Sequence, residues 1–221
     1  MSAQTHPSLV ETVSRRIIGL ARDHLDERLP TERNLSAQFG VSRSVIREAA
    51  KRLENQGLLE IRQGSGMKVV AQFHKPINSA LHLLVPDERD RLSQLIEVRS
   101  ALEPQNAALA AERASEVELR SLSAAHDAFI MAKILETQVQ ADMHFHCLLA
   151  EISGNRIAAV LIQSLSELLQ TSLTRGYSRV TNDLAVADHC TILSAILQRD
   201  PASAAEAMRQ HLNNARNDLG L

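Results

Sequence analysis

Four side chains of the types that bind metal ions recur at helical spacing in the second half of the sequence. Asp142 and His146 are four residues apart, so both project from one face of a helix. His189 and His211 lie in two later segments, each next to apolar residues that predict a buried face. One carboxylate and three imidazoles suit Zn²⁺, Ni²⁺ or Mn²⁺ and leave coordination positions open for water or a ligand. The spacing of the full set suits a metal site and ordinary buried or surface histidines equally well, and each histidine alone is more typical of an ordinary surface or core residue.

A second set of side chains, in the first half of the chain, suits nucleic acid. Arg43 and Arg47 lie four residues apart on one face of a predicted helix. Ser42 and Ser44, in its first turn, are small enough for a close approach to the major groove. Arg33 begins the preceding predicted helix and can reach the DNA backbone beside the groove. Each arginine alone could be a solvated surface residue, but the ordered set favours DNA binding.

The elements that would position this second set follow the order of a winged helix-turn-helix. Apolar residues at three- and four-residue spacing predict helices over about 9–23, 31–39 and 43–55. Two short apolar runs then flank Gln63-Gly64-Ser65-Gly66, which predicts a β-hairpin with a glycine-rich tip. Glycines at this tip would let the backbone approach the minor groove without a side-chain clash. Three helices followed by a hairpin are typical of a winged helix-turn-helix.

The rest of the chain predicts an antiparallel α-helical bundle without a sheet. We divide the sequence into a DNA-binding domain over 1–72, a linker over 73–89 that includes a short helix at 77–84, and a helical domain over 90–221. Pro104 predicts a kink in the first long helix. The later helices are predicted over 115–133, 137–152, 156–175, 184–198 and 201–219.

Composition also favours a mainly helical protein with a basic first module. The chain has 221 residues, 2% aromatic residues and no Trp, which favours a mainly α fold with an aliphatic core. Residues 1–71 carry 11 Lys and Arg against 8 Asp and Glu, whereas the remainder is acidic, so only the first module is expected to meet a polyanion. No apolar stretch is long enough for a membrane span, and no signal peptide is evident, so we expect a cytoplasmic protein.

The first module resembles the DNA-binding domain of GntR-family bacterial transcription regulators. The resemblance rests on Leu29-Pro30-Thr31-Glu32-Arg33-Asn34-Leu35, Phe39-Gly40-Val41-Ser42-Arg43-Ser44-Val45-Ile46-Arg47-Glu48-Ala49, Leu53-Glu54-Asn55-Gln56-Gly57-Leu58-Leu59 and Gly64-Ser65-Gly66. It implies a dimer on a short, near-palindromic operator. It also implies DNA contacts by Arg33, Ser42, Arg43, Ser44, Arg47 and Gly66.

The second module resembles the FCD ligand-binding domain of the FadR branch of this family. The matching residues are Arg99 and Glu103 in the opening helix, Asp142-x₃-His146, Ala150-Glu151-Ile152-Ser153-Gly154-Asn155, Asp188-His189, Ile192-Leu193-x-Ala195-Ile196, Asp200 and Ala207-Met208-x-x-His211. The resemblance implies that Asp142, His146, His189 and His211 bind a divalent metal, with Zn²⁺ favoured, below a pocket for a small carboxylate effector. Arg99 would then grip that carboxylate, or else simply pair with Glu103 along its own helix.

Two cysteines, Cys147 and Cys190, each follow a proposed metal ligand directly. One residue along a helix turns about 100° away, so a thiol and its neighbour are not expected to share a metal. We interpret both as reduced structural thiols, with a redox sensor as the alternative.

Together these features predict a ligand-responsive transcription regulator, more commonly a repressor in such a family, rather than an enzyme. Effector binding is expected to shift helices and so change how two winged modules fit two half-sites. The alternative is a metal-dependent hydrolase with a DNA-binding appendage, for which Glu151 is the nearest candidate base in sequence. A third reading is a DNA-binding dimer whose bundle senses no ligand.

Overall fold

The computed structural model describes residues 7–22, 28–62, 66–70, 72 and 74–221. The chain divides into two compact units, Met1–Pro76 and Ile77–Leu221, which are described separately. The first unit contains three helices and a hairpin, in the order predicted for a winged helix-turn-helix. The elements are α1 (Leu9–Arg22), α2 (Glu32–Phe39), α3 (Arg43–Asn55), β1 (Leu59–Arg62) and β2 (Gly66–Val69).

Local signals explain where the helices of the first unit begin and end. Thr31 accepts a hydrogen bond from the backbone N–H of Asn34 and caps α2, and Ser42 caps α3 through the N–H of Val45. Gly40 ends α2 with a φ of 69°, a left-handed conformation that glycine adopts without strain. The caps therefore fix the tight turn between the two helices.

The hairpin and the three helices enclose one aliphatic core. Strands β1 and β2 pair antiparallel, with Leu59 opposite Val69 and Arg62 opposite Gly66. The core side chains are Val13, Ile17, Leu29, Leu35, Ile46, Ala49, Ala50, Leu53, Leu59, Met67 and Val69. Of the predicted hairpin tip, Gly66 is described, whereas residues 63–65 lie outside the described residues.

The second unit is an all-helical bundle, so the fold class predicted from the sequence is confirmed. It contains α4 (His74–Leu84, which begins in the first unit), α5 (Glu88–Arg113), α6 (Glu116–Met131), α7 (Leu135–Ile152), α8 (Arg156–Ser164), α9 (Ser166–Tyr177), α10 (Asp183–Leu197) and α11 (Pro201–Leu219). Helix α5 packs against α7, α10 and α11. Among the described residues, no helix combines the length and apolar character that a membrane span needs.

Two features differ from the predicted helix boundaries. The single helix predicted over 156–175 is wrong, because the chain breaks at Leu165 between α8 and α9. The hydroxyl of Ser164 donates to the carbonyl of Val160, a contact that bends helices. Helix α4 begins at His74 rather than at residue 77, since Pro76 sits in the first turn, where no N–H is needed. Helix α5 continues through Pro104 to Arg113, as predicted.

Candidate functional site

The structure places Arg43 and Arg47 in the first two turns of α3, with exposed side chains. Ser42 and Ser44 lie beside them, and their hydroxyl oxygens are 2.8 Å apart. This end of α3 therefore offers two guanidinium groups and two hydroxyls to the solvent, as insertion into a DNA groove requires.

Glu32, in the first turn of α2, links the two arginines of α3. Arg47 donates two hydrogen bonds to it, from Nε over 3.2 Å and from Nη2 over 2.8 Å. Nη2 of Arg43 lies 3.8 Å from the same carboxylate. The hydrogen bond from Arg47 lowers the pKa of Glu32, so the carboxylate is charged at neutral pH. Glu32 therefore holds both guanidinium groups over one patch of surface.

The remaining candidate DNA contacts are also at the surface. Arg33 is exposed in the first turn of α2. Gly66 is exposed at the start of β2 with a φ of 89°, a backbone conformation that L side chains rarely adopt. A groove beside it is lined by three basic side chains that the sequence reasoning did not include, Arg28, Arg62 and Lys68. Arg62 and Lys68 lie on the two strands of the hairpin, and Arg28 forms an isolated bridge to Lys68.

In the second unit, three helices bring the predicted metal ligands together in the core. Asp142 and His146 come from α7, His189 from α10 and His211 from α11. Each is at most 3% exposed, although all are polar. The helices bury them because the same faces carry apolar residues at three- and four-residue spacing, such as Phe145 in α7.

The distances among the three imidazoles suit a single metal ion. One nitrogen from each of His146, His189 and His211 can be chosen so that all lie within 4.8 Å of one another. The Nε2 atoms of His146 and His211 are 3.3 Å apart. Asp142 adjoins two of the histidines, with Oδ1 3.3 Å from Nε2 of His146 and Oδ2 3.8 Å from Nε2 of His189. The three imidazoles could hold a metal, with Asp142 at their edge.

The ring of His189 is the member of the cluster with the fewest hydrogen bonds. Neither ring nitrogen of His189 has a hydrogen bond among the described residues, although the side chain is fully buried. Its ring is instead fixed by stacking on Phe145, with centroids 4.3 Å apart. Buried polar atoms are normally satisfied, so a ring with two unbonded nitrogens needs an explanation. A metal ion at this position would satisfy one of the two nitrogens.

A carboxylate lies beside Nδ1 of two of the imidazoles. Oε2 of Glu103 lies 2.7 Å from Nδ1 of His146, and Oδ2 of Asp188 lies 3.4 Å from Nδ1 of His211. In both rings the Nδ1 side is thus turned to a carboxylate and Nε2 is turned to the centre. Metal-ligating histidines commonly show this arrangement, because the carboxylate fixes the tautomer and increases the basicity of the ring.

Burial and the neighbouring charges perturb the ionisation of the cluster. Burial lowers the pKa of His189 well below its ordinary value and also lowers the pKa of His211, so both rings are neutral at neutral pH. Burial alone would raise the pKa of Asp142, but His189 and His146 outweigh it and the pKa lies far below the usual range. At His146 the charge of Glu103 outweighs burial and raises the pKa. Of the three imidazoles it is therefore His189 and His211 that are held in the neutral form that binds metals.

Arg99 reaches the cluster from α5. Its Nε donates to Oε1 of Glu103 over 2.6 Å, and its Nη2 lies 3.1 Å from Nε2 of His146. The pairing with Glu103 along the helix is therefore present. Nη1 of Arg99 has no hydrogen bond among the described residues, although the side chain is only 1% exposed. The guanidinium group keeps one buried donor group for a further acceptor.

Two residues near the cluster were missed by the sequence reasoning. Tyr177, the single tyrosine of the chain, donates its hydroxyl to Oδ2 of Asp142 from the end of α9. His126 is buried in α6, and its ring centroid lies 6.5 Å from that of His189. His126 falls in register with Leu122 and Phe129, a spacing that predicts a buried face.

Other candidates lie away from the cluster or face elsewhere. His144 is exposed, as its register in α7 predicts. Glu151 is exposed and accepts a hydrogen bond from Gln163 over 2.7 Å, so it does not face the histidines. Burial raises the pKa of the Cys147 thiol to about 11, which suits an unreactive structural thiol, whereas Cys190 is exposed.

A small cavity adjoins the cluster. It measures about 30 Å³, and its lining comes from α5, α9, α10 and α11. The polar members of that lining are Arg99, Ser172, Tyr177, Asp188, His211, Asn214 and Asp218. A ligand in this cavity would contact one proposed metal ligand and the guanidinium group of Arg99 directly.

Two family models match the chain. Residues 10–69 match the family described as "Bacterial regulatory proteins, gntR family", and residues 94–214 match the FCD domain. The two matches cover the winged unit and most of the helical bundle.

Named relatives and a solved structure agree with these matches. The Uxu operon regulator of Haemophilus influenzae is 36% identical over 203 residues, which are 87% of this chain and 73% of that protein. The transcriptional regulator LutR of Bacillus subtilis is 31% identical over 207 residues, or 87% of this chain and 91% of that protein. The structure titled "Streptococcus agalactiae GntR" superimposes with a TM-score of 0.76 at 28% identity, covering 95% of this chain and 100% of that one.

Proposed function

The chain belongs to the GntR family of bacterial transcription regulators and carries an FCD domain, and on that premise we propose that it binds operator DNA as a dimer under the control of a small carboxylate and a metal ion. The domains and the named relatives are those of transcription regulators, so the prediction that the chain is not an enzyme is confirmed and the metal-dependent hydrolase is wrong. We place its action in the bacterial cytoplasm, where the DNA is.

For the DNA-binding step, we propose that α3 enters the major groove with its first turn leading. Arg43 and Arg47 would contact bases or phosphates, Ser42 and Ser44 would allow close approach, and Arg33 would contact the backbone. Gly66 would bring the hairpin to the minor groove. Exposure of these side chains at one end of α3 and along the hairpin supports the assignment. A dimer would place two such units on a near-palindromic site.

For the metal step, we propose that Asp142, His146, His189 and His211 hold one divalent ion. Zn²⁺ is our choice because three imidazoles and one carboxylate are ligands that it favours, and Ni²⁺ or Mn²⁺ could replace it. When bound, the ion would supply a Lewis-acidic centre that attracts a carboxylate oxygen. The single observation that carries this proposal is the buried ring of His189, whose two nitrogens have no hydrogen bond among the described residues.

For the effector step, we propose that the acid occupies the cavity beside the cluster. Arg99 would bind its carboxylate through Nη1, the buried donor group that lacks a protein acceptor. The pairing of Arg99 with Glu103 is compatible with this role, because it fixes the guanidinium group and leaves one edge free. Tyr177, which lines the same cavity and bonds to Asp142, would position the metal ligand.

For transmission, we propose that α9 carries the signal from the cavity to α4. Tyr177, Leu173 and Ser172 of α9 line the cavity. Nearer the other end of α9, Glu167 accepts a hydrogen bond from Asn78 of α4, the helix that leads back to the DNA-binding unit. An acid that displaces α9 would thus move the start of the bundle and change how the dimer fits two half-sites. We propose that the unliganded dimer represses and that the acid relieves repression.

A thermal-shift screen against carboxylic acids, with and without Zn²⁺, tests the proposed sensing function. Ligands that bind the native state raise the melting temperature, and the stabilisation grows with the logarithm of one plus the ratio of ligand concentration to Kd. The proposal expects a rise with Zn²⁺ alone and a further rise with an acid only when Zn²⁺ is present. If no metal and no acid raises the melting temperature, the protein would instead be a DNA-binding dimer whose bundle senses no ligand.

A further inference from the structure

The carboxylate of Glu32 occupies one edge of the guanidinium group of Arg47 and leaves another edge open. Nε and Nη2 of Arg47 both donate to Glu32, over 3.2 and 2.8 Å. The remaining N–H groups of an arginine lie on Nη1 and on the second position of Nη2. Among the described residues no other acceptor bonds to Arg47, and its side chain is 66% exposed. The edge formed by Nη1 and Nη2 is therefore available to a ligand.

The position of Glu32 explains why this pair forms. Glu32 lies in the first turn of α2, where unbonded backbone N–H groups stabilise a negative charge. Helix α2 packs against α3, so the carboxylate reaches a side chain 15 residues further along the sequence. The side chain of Glu32 is 28% exposed, less than half the exposure of Arg47. Glu32 is thus the better anchored partner of the two.

Arg43 differs from Arg47 in its relation to Glu32. Its Nη2 lies 3.8 Å from Oε2 of Glu32, which is an ion pair without a hydrogen bond. Two parallel N–H bonds to one carboxylate fix the plane of the guanidinium group of Arg47, and Arg43 has no such constraint from Glu32. Of these two arginines of α3, Arg47 is therefore the one held in a defined orientation.

We propose that Arg47 recognises a guanine in the major groove and that Glu32 is the positioning residue on which this recognition depends. The inference rests on the proposed DNA-binding function and adds the base that one side chain selects. Guanine presents two acceptors in the major groove, O6 and N7, and two N–H groups on one edge of an arginine match them. Because Glu32 fixes the guanidinium group before DNA binds, Arg47 loses less side-chain freedom on meeting this pattern.

The same carboxylate disfavours a phosphate as the ligand of Arg47. A phosphodiester at the open edge would bring a second negative charge close to Glu32, and like charges repel. The edge of a base carries no net charge and meets no such repulsion. Without Glu32, Arg47 could turn toward any phosphate of the backbone, and such contacts carry no sequence information. Glu32 therefore increases the difference in affinity between a specific site and random DNA.

Fluorescence anisotropy with the full-length protein tests the base preference. The probes are a duplex selected by the native protein from a random-sequence pool, and derivatives in which each base pair is changed in turn in both half-sites. We expect one G·C pair per half-site at which substitution weakens native binding at least about fivefold, and Arg47→Ala should abolish the preference at that pair. Glu32→Gln keeps one acceptor oxygen and should reduce the same preference at least about threefold, and Glu32→Ala should reduce it further.

Binding to a random duplex measures the second expected effect. Glu32→Gln should bind it more tightly than the native protein, and the slope of log Kd against log salt concentration should steepen by about one per chain, because the released Arg47 gains a phosphate contact. Glu11→Gln is the matched control, since it removes the same charge and breaks another carboxylate–arginine pair, with Arg15 over 2.6 Å. It should leave the base preferences and the salt slope unchanged.

The double variant Glu32→Gln/Arg47→Ala separates positioning from a general effect of charge. If Glu32 acts through Arg47, the double variant should match Arg47→Ala at every base pair, with no further loss. A further loss of base preference in the double variant would show that Glu32 acts independently of Arg47, and the inference would be wrong. Circular dichroism and melting temperatures check that each variant is folded.

Two other results would also overturn the inference. In the first, folded Glu32→Gln and Glu32→Ala both keep the native preference at every base pair. In the second, Arg47→Ala weakens all duplexes equally and flattens the salt slope, because Arg47 then binds a phosphate. In both cases the native protein still prefers its selected duplex, so the proposed DNA-binding function stands. If the native protein binds selected and random duplexes equally, the proposed operator binding fails as well.

Discussion

Oε2 of Glu103 lies 2.7 Å from Nδ1 of His146, while Oε1 of the same carboxylate accepts a hydrogen bond from Nε of Arg99 over 2.6 Å. One buried carboxylate therefore fixes two side chains that we assign to different ligands, the metal and the acid. Burial alone would raise the pKa of Glu103, but Arg99 and His146 outweigh it and the pKa lies well below the usual range. Glu103 is thus an anion that joins the metal site to the effector site.

Replacing this anion should weaken metal binding without removing a ligand. In Glu103→Gln, the imidazole of His146 loses the carboxylate that orients it, so we expect Zn²⁺ affinity to fall about 10- to 100-fold in a competition titration with a chromogenic chelator. Glu97→Gln, on the exposed face of the same helix, is the matched control and should bind Zn²⁺ as the native protein does. Unchanged affinity in a folded Glu103→Gln protein would show that His146 does not depend on Glu103.

Removing a proposed metal ligand should reduce zinc binding more than Glu103→Gln does. His189→Ala takes away a buried imidazole with two unbonded nitrogens, so we expect the bound zinc to fall from about one ion per chain to almost none after gel filtration. His144→Ala removes an exposed histidine from α7 and should keep its zinc. The metal content is read by atomic emission, and circular dichroism checks the fold. Full zinc content in folded His189→Ala would contradict the proposed ligand set.

The DNA-binding surface can be tested separately from the sensor. Arg43→Ala should weaken binding to a duplex selected from a random-sequence pool by the native protein. The expected loss is at least about thirtyfold, because each guanidinium contact contributes about 1–3 kcal/mol and a dimer loses two. Arg52→Ala, exposed in the last turn of α3, should bind nearly as tightly as the native protein. The melting temperature and the oligomeric state should be unchanged in both variants. If Arg43→Ala loses its fold together with DNA binding, Arg43 has a structural role instead.

If α9 transmits the signal, a variant that lacks its contact with α4 should bind the acid without changing its affinity for DNA. Asn78→Ala removes the side chain that donates to Glu167, so the acid should bind with unchanged affinity while its effect on DNA binding falls several-fold. Calorimetry measures the first quantity and fluorescence anisotropy the second. Gln163→Ala removes a comparable bond to Glu151 on the neighbouring helices and should respond normally. A normal response in Asn78→Ala would exclude this contact as the route.

Much of this architecture could be predicted from the sequence because its signals are local. Hydroxyl caps at Thr31 and Ser42 and the capping box at Ser115 fix helix starts without reference to the rest of the chain. The four-residue spacing of Asp142 and His146 likewise fixes a shared helix face. The break at Leu165 could not be predicted in this way, since no proline or glycine marks it.

The parts of the site that the sequence did not indicate depend on contacts between helices. Glu103 of α5 meets His146 of α7, and Tyr177 of α9 meets Asp142 of α7, across 43 and 35 residues of sequence respectively. The periodicity within one helix does not determine which residues of another helix its side chains will contact. Asp218 shows the same limit, because its place in the cavity lining follows from the packing of α11 against α5 and α9.

The central claim is that occupancy of the histidine-lined site controls DNA binding. The most direct measurement is fluorescence anisotropy of the selected duplex with zinc-loaded protein, with and without a saturating amount of the acid that gives the largest thermal shift. The account predicts that the Kd for DNA changes by at least about fivefold, the lower range of typical coupling between sites, and that the change disappears in His189→Ala. An unchanged Kd, with calorimetry showing that the acid is bound, would contradict it.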